Sequence, residues 1–252
     1  MNVAPIQLVA AAASRPGPHH VRNEDAWRIF VPPVLQPGGL FVVCDGVSTS
    51  GRGAWAAKLA CERLGQFGES QGESGGELHL DELLQLVSEI DWELRGARRS
   101  AACTLAAAWV QPGQATILTV GDSPVYRLRR GRLKQAGTET TGLFRRLQSY
   151  LGMGASVAEQ LIVQQWPLEP GDLLMLMSDG VIDALDEDDL VDLWNRFKDP
   201  ERFVRTTLEE VARIGVDDDA TILAVEVAVD PMATAPDALY DAPSPLRTFK
   251  RD

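Results

Sequence analysis

At 252 residues, 45% hydrophobic and 24% charged, the chain has an ordinary globular composition, which excludes fibrous and wholly disordered classes. A formal charge of −12 excludes a broad basic surface for a phosphate backbone, so no nucleic-acid partner is expected. No apolar run approaches the ~20 residues that span a bilayer, and the N-terminus lacks the positive lead of a signal peptide, so no membrane partner and a cytoplasmic location are expected.

In chain order, apolar runs predict strands at 6–12, 26–31, 40–44, 104–110, 115–120, 125–129, 161–166, 173–177 and 221–229. Gly121-Asp122-Ser123-Pro124 has tight-turn composition and joins two of them as an antiparallel pair; a second turn follows at Arg130-Gly131. Helical spacing is clear for Trp55, Leu59 and Leu64 within 54–67, and for Leu83, Leu84, Val87, Ile90 and Leu94 behind Asp81. Asp186 can cap a helix bearing Leu190, Leu193, Trp194 and Phe197. Asp199-Pro200-Glu201 reads as N-cap, N1 proline and acidic first turn before Phe203, Val204, Leu208 and Val211.

The stretch 68–76 is rich in Gly, Ser and Glu and reads as a loop. Residues 1–230 read as one domain, and 231–252 as a disordered Pro/Ala/Asp-rich tail. Hairpin-linked strands argue against a repeating βαβ barrel, and a sheet-on-sheet core with helices outside both sheets fits better. Cys44, Cys61 and Cys103 lie in apolar stretches without CxxC spacing and read as small core hydrophobes in a reducing compartment.

Five places set an acid beside glycine or another acid at an apolar run: Asn23-Glu24-Asp25, Asp45-Gly46, Gly121-Asp122-Ser123, Ser178-Asp179-Gly180 and Asp217-Asp218-Asp219. Singly, an Asp-Gly after a strand is more often a turn than a ligand. Five together, three of them directly behind strongly apolar runs, reverse that preference. Short carboxylates fixed at strand ends repel one another unless a cation offsets them. Oxygen-only donors select Mg²⁺ or Mn²⁺ over zinc.

In this order, Arg-Asn-Glu-Asp, Val-Val-Cys-Asp-Gly, Cys-Thr-Leu-Ala-Ala-Ala, Gly-Asp-Ser with Val-Tyr-Arg-Leu and Gly-Arg-Leu, Leu-Met-Ser-Asp-Gly-Val-Ile-Asp and Asp-Asp-Ala-Thr resemble the metal-dependent protein phosphatases, the type 2C serine/threonine phosphatases, in their bacterial form. The resemblance runs from about Ala10 to Val229. It implies an α+β fold, a four-layer α-β-β-α sandwich with two central antiparallel sheets flanked by helices. It also implies a site of two core Mg²⁺ or Mn²⁺ ions with a possible third. Asp45 would bridge the core ions and the Gly46 carbonyl would bind one of them. Asp179 and Asp218 would ligate the other, and Asp122 would serve the third. Glu24 would act from beside the ions, with Asp25 supporting it. The implied activity is hydrolysis of phosphoserine and phosphothreonine by a metal-activated water. The implied partner is a phosphoprotein, the product of a bacterial Ser/Thr kinase.

The sequence departs from the family pattern in three places. The arginine that many members carry four residues before the Glu is His20 here, so the substrate phosphate falls to His20 or to Arg22. Arg22 is expected on a strand that shares a face with Glu24. Val47 stands where eukaryotic members place a histidine, and Arg52 follows it as a solvent-facing residue. The stretch between Gly131 and Leu161, holding Arg145 and Arg146, is short for a flap. These departures motivate the alternative of a catalytically weak or inactive regulatory module that binds a phosphoprotein or another partner.

Overall fold

The computed structural model describes residues 6–32, 38–74, 79–97, 100–137, 149–152 and 157–230. Arg145, Arg146 and the tail 231–252 lie outside them. Ten strands form two antiparallel sheets. The first holds β1 (Ile6–Arg15), β10 (Ala220–Val229), β9 (Leu173–Met177), β6 (Val125–Arg129) and β7 (Arg132–Gln135), in that order. The second holds β2 (Ala26–Phe30), β3 (Gly39–Cys44), β4 (Leu105–Gln111), β5 (Gln114–Val120) and β8 (Ile162–Pro167).

Six α-helices, α1 (Gly53–Ser74), α2 (Leu80–Arg95), α3 (Val157–Gln160), α4 (Asp179–Ile182), α5 (Glu187–Phe197) and α6 (Pro200–Ile214), and one short 3-10 helix (Ser48–Ser50) complete the described chain. Successive strand residues point to opposite faces, and here both faces are apolar. Phe41 and Val43 of β3 meet Leu174, Leu176, Leu223 and Val225 between the sheets. Leu40, Val42 and Cys44 face α1 and α2, where Ala56, Ala60, Leu64, Leu83, Val87 and Ile90 cover them. Met175, Met177 and Ile222 turn the other way and are covered by Val181, Leu190, Trp194 and Phe203. The outcome is the four-layer sandwich that the resemblance implies. All three cysteines are buried and free, as core hydrophobes should be.

The expected caps form. Asp186 and Asp189 make a reciprocal capping box on α5, and Asp199 accepts from the Arg202 amide ahead of Pro200 on α6. One expectation is corrected. The stretch read as a loop from residue 68 continues α1 as far as Ser74. Gly68 sits in that helix against β2, and a Cβ there would come within 2.8 Å of the Phe30 ring, so the glycine serves close packing and not chain reversal.

Strand direction places the acids. Antiparallel pairing sets the ends of β3, β5 and β9 beside the starts of β2, β4 and β10. Every acidic station of the sequence therefore lands at one end of the sandwich.

Candidate metal centre

Asp45 leaves β3, Asp122 follows β5, Asp179 opens α4 directly behind β9, and Asp218 precedes β10. Glu24 and Asp25 sit in the turn entering β2. Backbone bonds hold the β2-β3-β4 side of this rim. The Gly46 amide donates to the Glu24 carbonyl at 3.1 Å, and the Thr104 amide donates to the Asp45 carbonyl at 2.8 Å. The Thr104 hydroxyl accepts from the Asp45 amide at 2.9 Å and pairs with Ser123 at 2.6 Å. Gly46 has no space for a side chain: a Cβ would lie 2.3 Å from the Gly53 carbonyl carbon and 2.6 Å from the Glu24 oxygen.

The carboxyls crowd one another. Burial, then the charges of Asp25, Asp179 and Asp218, push Asp45 up to about 11. Asp25 rises to about 7 through burial and the charges of Asp219 and Asp179, against the opposing pull of hydrogen bonds from Thr221 and Ser178. Asp179 rises to about 6 through burial and the charges of Asp122 and Asp218, and it lies close enough to Asp45 to share a proton. Oxygens of Glu24 (Oε2), Asp25 (Oδ1) and Asp179 (Oδ1) are sealed from solvent with no donor among the described residues. Acceptors in that condition, on acids that raise one another's pKa, fit a divalent cation. Asp45, Asp179 and Asp218 are the carboxylates that could hold one, with the Gly46 carbonyl beside them.

Among the described residues, the side chains that bring three donor atoms within 4.8 Å of one another are His20, Asp218 and Asp219. Asp219 is only 3% exposed, and three donors already occupy it: the Gly17 amide at 2.8 Å, His20 Nδ1 at 2.9 Å and the Glu24 amide at 2.6 Å. That is an anchor pinning the 17–24 turn to the start of β10, and it leaves little for a metal. Burial alone would lower the His20 pKa, but the hydrogen bond to Asp219 and the charges of Asp219, Asp218 and Glu24 outweigh it and raise the pKa.

His20 thus reaches the rim with one ring nitrogen committed. Arg22 is exposed and has no partner among the described residues. It lies in the bend ahead of β2 and not on a strand, so the two-residue alternation expected to align it with Glu24 does not apply. Arg52 stacks 3.9 Å over the Trp55 ring.

Sequence reasoning passed over three participants. Asp219 was one of an acidic triplet in which only Asp218 drew a role. Ser178 donates its hydroxyl to Asp25 at 2.8 Å and accepts the Thr221 amide at 2.9 Å; its place between β9 and Asp179 was the available signal. Tyr150 is half-buried at the edge of the rim, its pKa raised by burial and then by Asp122, Asp179 and Asp45. Nothing local in the sequence marks it.

A family model described as protein phosphatase 2C matches residues 19–218. This chain belongs to the protein phosphatase 2C family. Comparison with curated proteins finds no matching sequence. Among solved structures, the chain is similar to PppA, described as a key regulatory component of T6SS in Pseudomonas aeruginosa. It shares 26% identity with PppA at TM-score 0.66, covering 88% of this chain and 98% of that one. The serine/threonine phosphatase Stp1 from Staphylococcus aureus shares 19% identity at TM-score 0.74, over 91% and 98% of the two chains. The catalytic domain of the serine/threonine protein phosphatase PstP, solved in complex with two manganese ions, shares 20% identity at TM-score 0.69, over 88% and 99%. Among the described residues, no helix of this family member is long and apolar enough to cross a membrane.

Proposed function

We propose that the chain is a metal-dependent phosphatase acting on phosphoserine and phosphothreonine in proteins. The observation that carries this reading is the sealed, donor-free oxygens of Glu24, Asp25 and Asp179 beside Asp45, whose pKa burial and the neighbouring acids raise. Asp45, Asp179, Asp218 and the Gly46 carbonyl would hold two Mg²⁺ or Mn²⁺ ions, with Asp122 serving a third. Such ions supply a water of lowered pKa and an electrophilic clamp on the phosphoryl oxygens.

The chain's own groups do the rest. Ser178 and Thr221 fix Asp25, whose raised pKa suits it to hold a proton at the edge of the site. Asp219 holds the Glu24 backbone and turns His20 toward the rim. Arg22, exposed and without a partner among the described residues, is the group that receives the substrate phosphate, and its planar fork suits that anion. His20 positions the turn. The PstP structure, in complex with two manganese ions, lends support to the ion count.

A decisive assay is hydrolysis of an aryl phosphate and of a phosphothreonine peptide by protein loaded with Mn²⁺. Turnover of both is expected, and Arg22→Ala should raise KM by about tenfold with a smaller change in kcat, as loss of one charge-assisted contact does. His20→Ala should instead lower stability together with activity. An inert wild type that still takes up Mn²⁺ in calorimetry would leave the regulatory-module alternative standing.

A further inference from the structure

One hairpin reverses the sign of this acidic protein. From Arg127 to Lys134 the chain reads Arg-Leu-Arg-Arg-Gly-Arg-Leu-Lys, five cations and no acid. The register of β6 on β7 opposes Arg127 to Lys134 and Arg129 to Arg132. Directly opposed residues share a face, as do residues two apart on one strand, so these four cations stand on a single face. Val125, on that same face, belongs to the core between the sheets, whereas Tyr126 and Leu128 belong to the layer under α5 and α6. The cationic face therefore looks across the open side of the sandwich toward Trp166 of β8. Arg127 Cζ lies 5.6 Å, and Lys134 Nζ 5.7 Å, from the centroid of that ring. A cleft of about 460 Å³ runs along the hairpin.

Like charges set opposite each other cost a hairpin stability. Part of that cost is offset. Arg129 makes two 2.6 Å bonds to Asp172 and one of 3.0 Å to Glu169, and Arg130 reaches Glu169 at 3.1 Å. Around Arg132 and Arg127 it is not, among the described residues. Arg132 is exposed and has no partner among the described residues. Arg127 donates from Nη1 to the Pro167 carbonyl at 3.0 Å, but its Nε is sealed from solvent without an acceptor. Trp166, only 2% exposed, has its Nε1 donor in the same condition. Burial, and then the neighbouring Arg129, lower the Arg127 pKa, against the opposing charges of Asp172 and Glu169. All of these donors sit on or beside β7, the last strand of its sheet, and among the described residues no further strand of that sheet covers its outer row of backbone groups.

We propose that this edge is a docking groove for an extended, acidic peptide segment of a protein partner, added along β7 with alternate carboxylates on Arg132, Lys134 and Arg127. Strand addition supplies main-chain hydrogen bonds, and the two-residue period brings every second side chain onto the cationic face. A nucleic acid fits less well, because the surface as a whole carries the opposite charge for a long polyanion. The hairpin turn lies roughly 15 Å along β6 from the rim at ~3.3 Å per residue. The groove is therefore separate from the carboxyls at the sheet ends and does not depend on their turning over phosphate.

Fluorescence anisotropy on the full chain tests this, using a labelled peptide of about twelve residues that alternates Glu and Thr. A block peptide of the same composition, an alternating Lys-Thr peptide, anionic phospholipid vesicles and a single-stranded oligonucleotide serve as comparators. The alternating acidic peptide should bind saturably and more tightly than every comparator. Arg132→Glu and Lys134→Glu should each weaken it by about tenfold, with aryl-phosphate turnover and melting temperature as in wild type. Asp45→Ala should bind the peptide normally, so a failed phosphatase reading and a failed docking reading give different results. No saturable binding, indifference to both charge reversals, equal binding of the block peptide, or tighter binding of vesicles or oligonucleotide at the same residues would each overturn the proposal.

Discussion

The two ends of the sandwich treat buried acids in opposite ways. Away from the rim, Asp172 is 1% exposed yet fully matched: Arg129 grips both of its oxygens, and the Glu169 amide adds a third bond. Asp91 accepts from Arg95 and from the Gly152 amide, and at the rim itself Asp219, the exception there, accepts from three donors. At the rim, Asp45, Asp179 and Asp25 face chiefly one another, and several of their neighbours' or their own oxygens meet no donor at all. Carboxylates that hold the fold have found protein donors. Those that crowd together without donors carry a cost to the metal-free fold, and a cation is the partner that removes it.

The largest effect that would break this contrast is at the rim. Asp179→Asn should cut Mn²⁺-dependent aryl-phosphate hydrolysis by ~10³-fold, about 4 kcal/mol of barrier, and should leave the metal-free protein as stable as wild type or more so. A clear fall in its melting temperature without metal would mean that Asp179 serves the fold. Asp172→Ala should do the reverse. Stranding Arg129 should cost about 3 kcal/mol of stability by denaturant titration, with kcat intact in the fraction still folded.

The pH dependence sharpens the same point. Asp179, Asp25 and Asp45 have folded pKa values raised to about 6, 7 and 11 from the ordinary aspartate value of 3.8, so the folded state holds more protons than the unfolded one. Their stabilising contribution is complete below about pH 4 and is lost as pH rises through each folded value. Protein stripped with EDTA should therefore melt at a lower temperature at pH 8 than at pH 5, and Mn²⁺ should erase that difference while releasing protons. A metal-free protein more stable at pH 8 would contradict it. The smallest effect expected is at Ser178→Ala, which should cost about 1–2 kcal/mol by removing one hydroxyl that serves two partners.

Much of the fold was legible because both faces of most strands are apolar. Runs such as Leu-Phe-Val-Val-Cys and Leu-Leu-Met-Leu-Met leave few alternatives to a buried strand. β7 was missed: Arg-Leu-Lys-Gln carries three polar residues in four, and only pairing with β6 makes it a strand. The length of α1 was missed because glycine was read as a break, when Phe30 needed the space. At the site, strand-end aspartates were visible by position. Only the strand placement of Arg22 failed, because alternation was extended into a bend. The service of Asp219 to the 17–24 turn depends on a contact between residues about 200 positions apart, which no local pattern carries.

The pairing of β1 with β10 bears on how this molecule comes into being. The first strand lies at the edge of its sheet, and its sole strand neighbour there among the described residues is the last, through ten residue pairs from Ile6↔Val229 to Arg15↔Ala220. On the ribosome, β1 must wait for almost all of the described chain to emerge before it can dock, and so much long-range pairing makes for slow folding. The carboxyls arrive in the same way, Glu24 early and Asp218 late. A nascent or truncated product lacking β10 would have neither a closed sheet nor a complete rim, so any activity would appear only once the protein is whole.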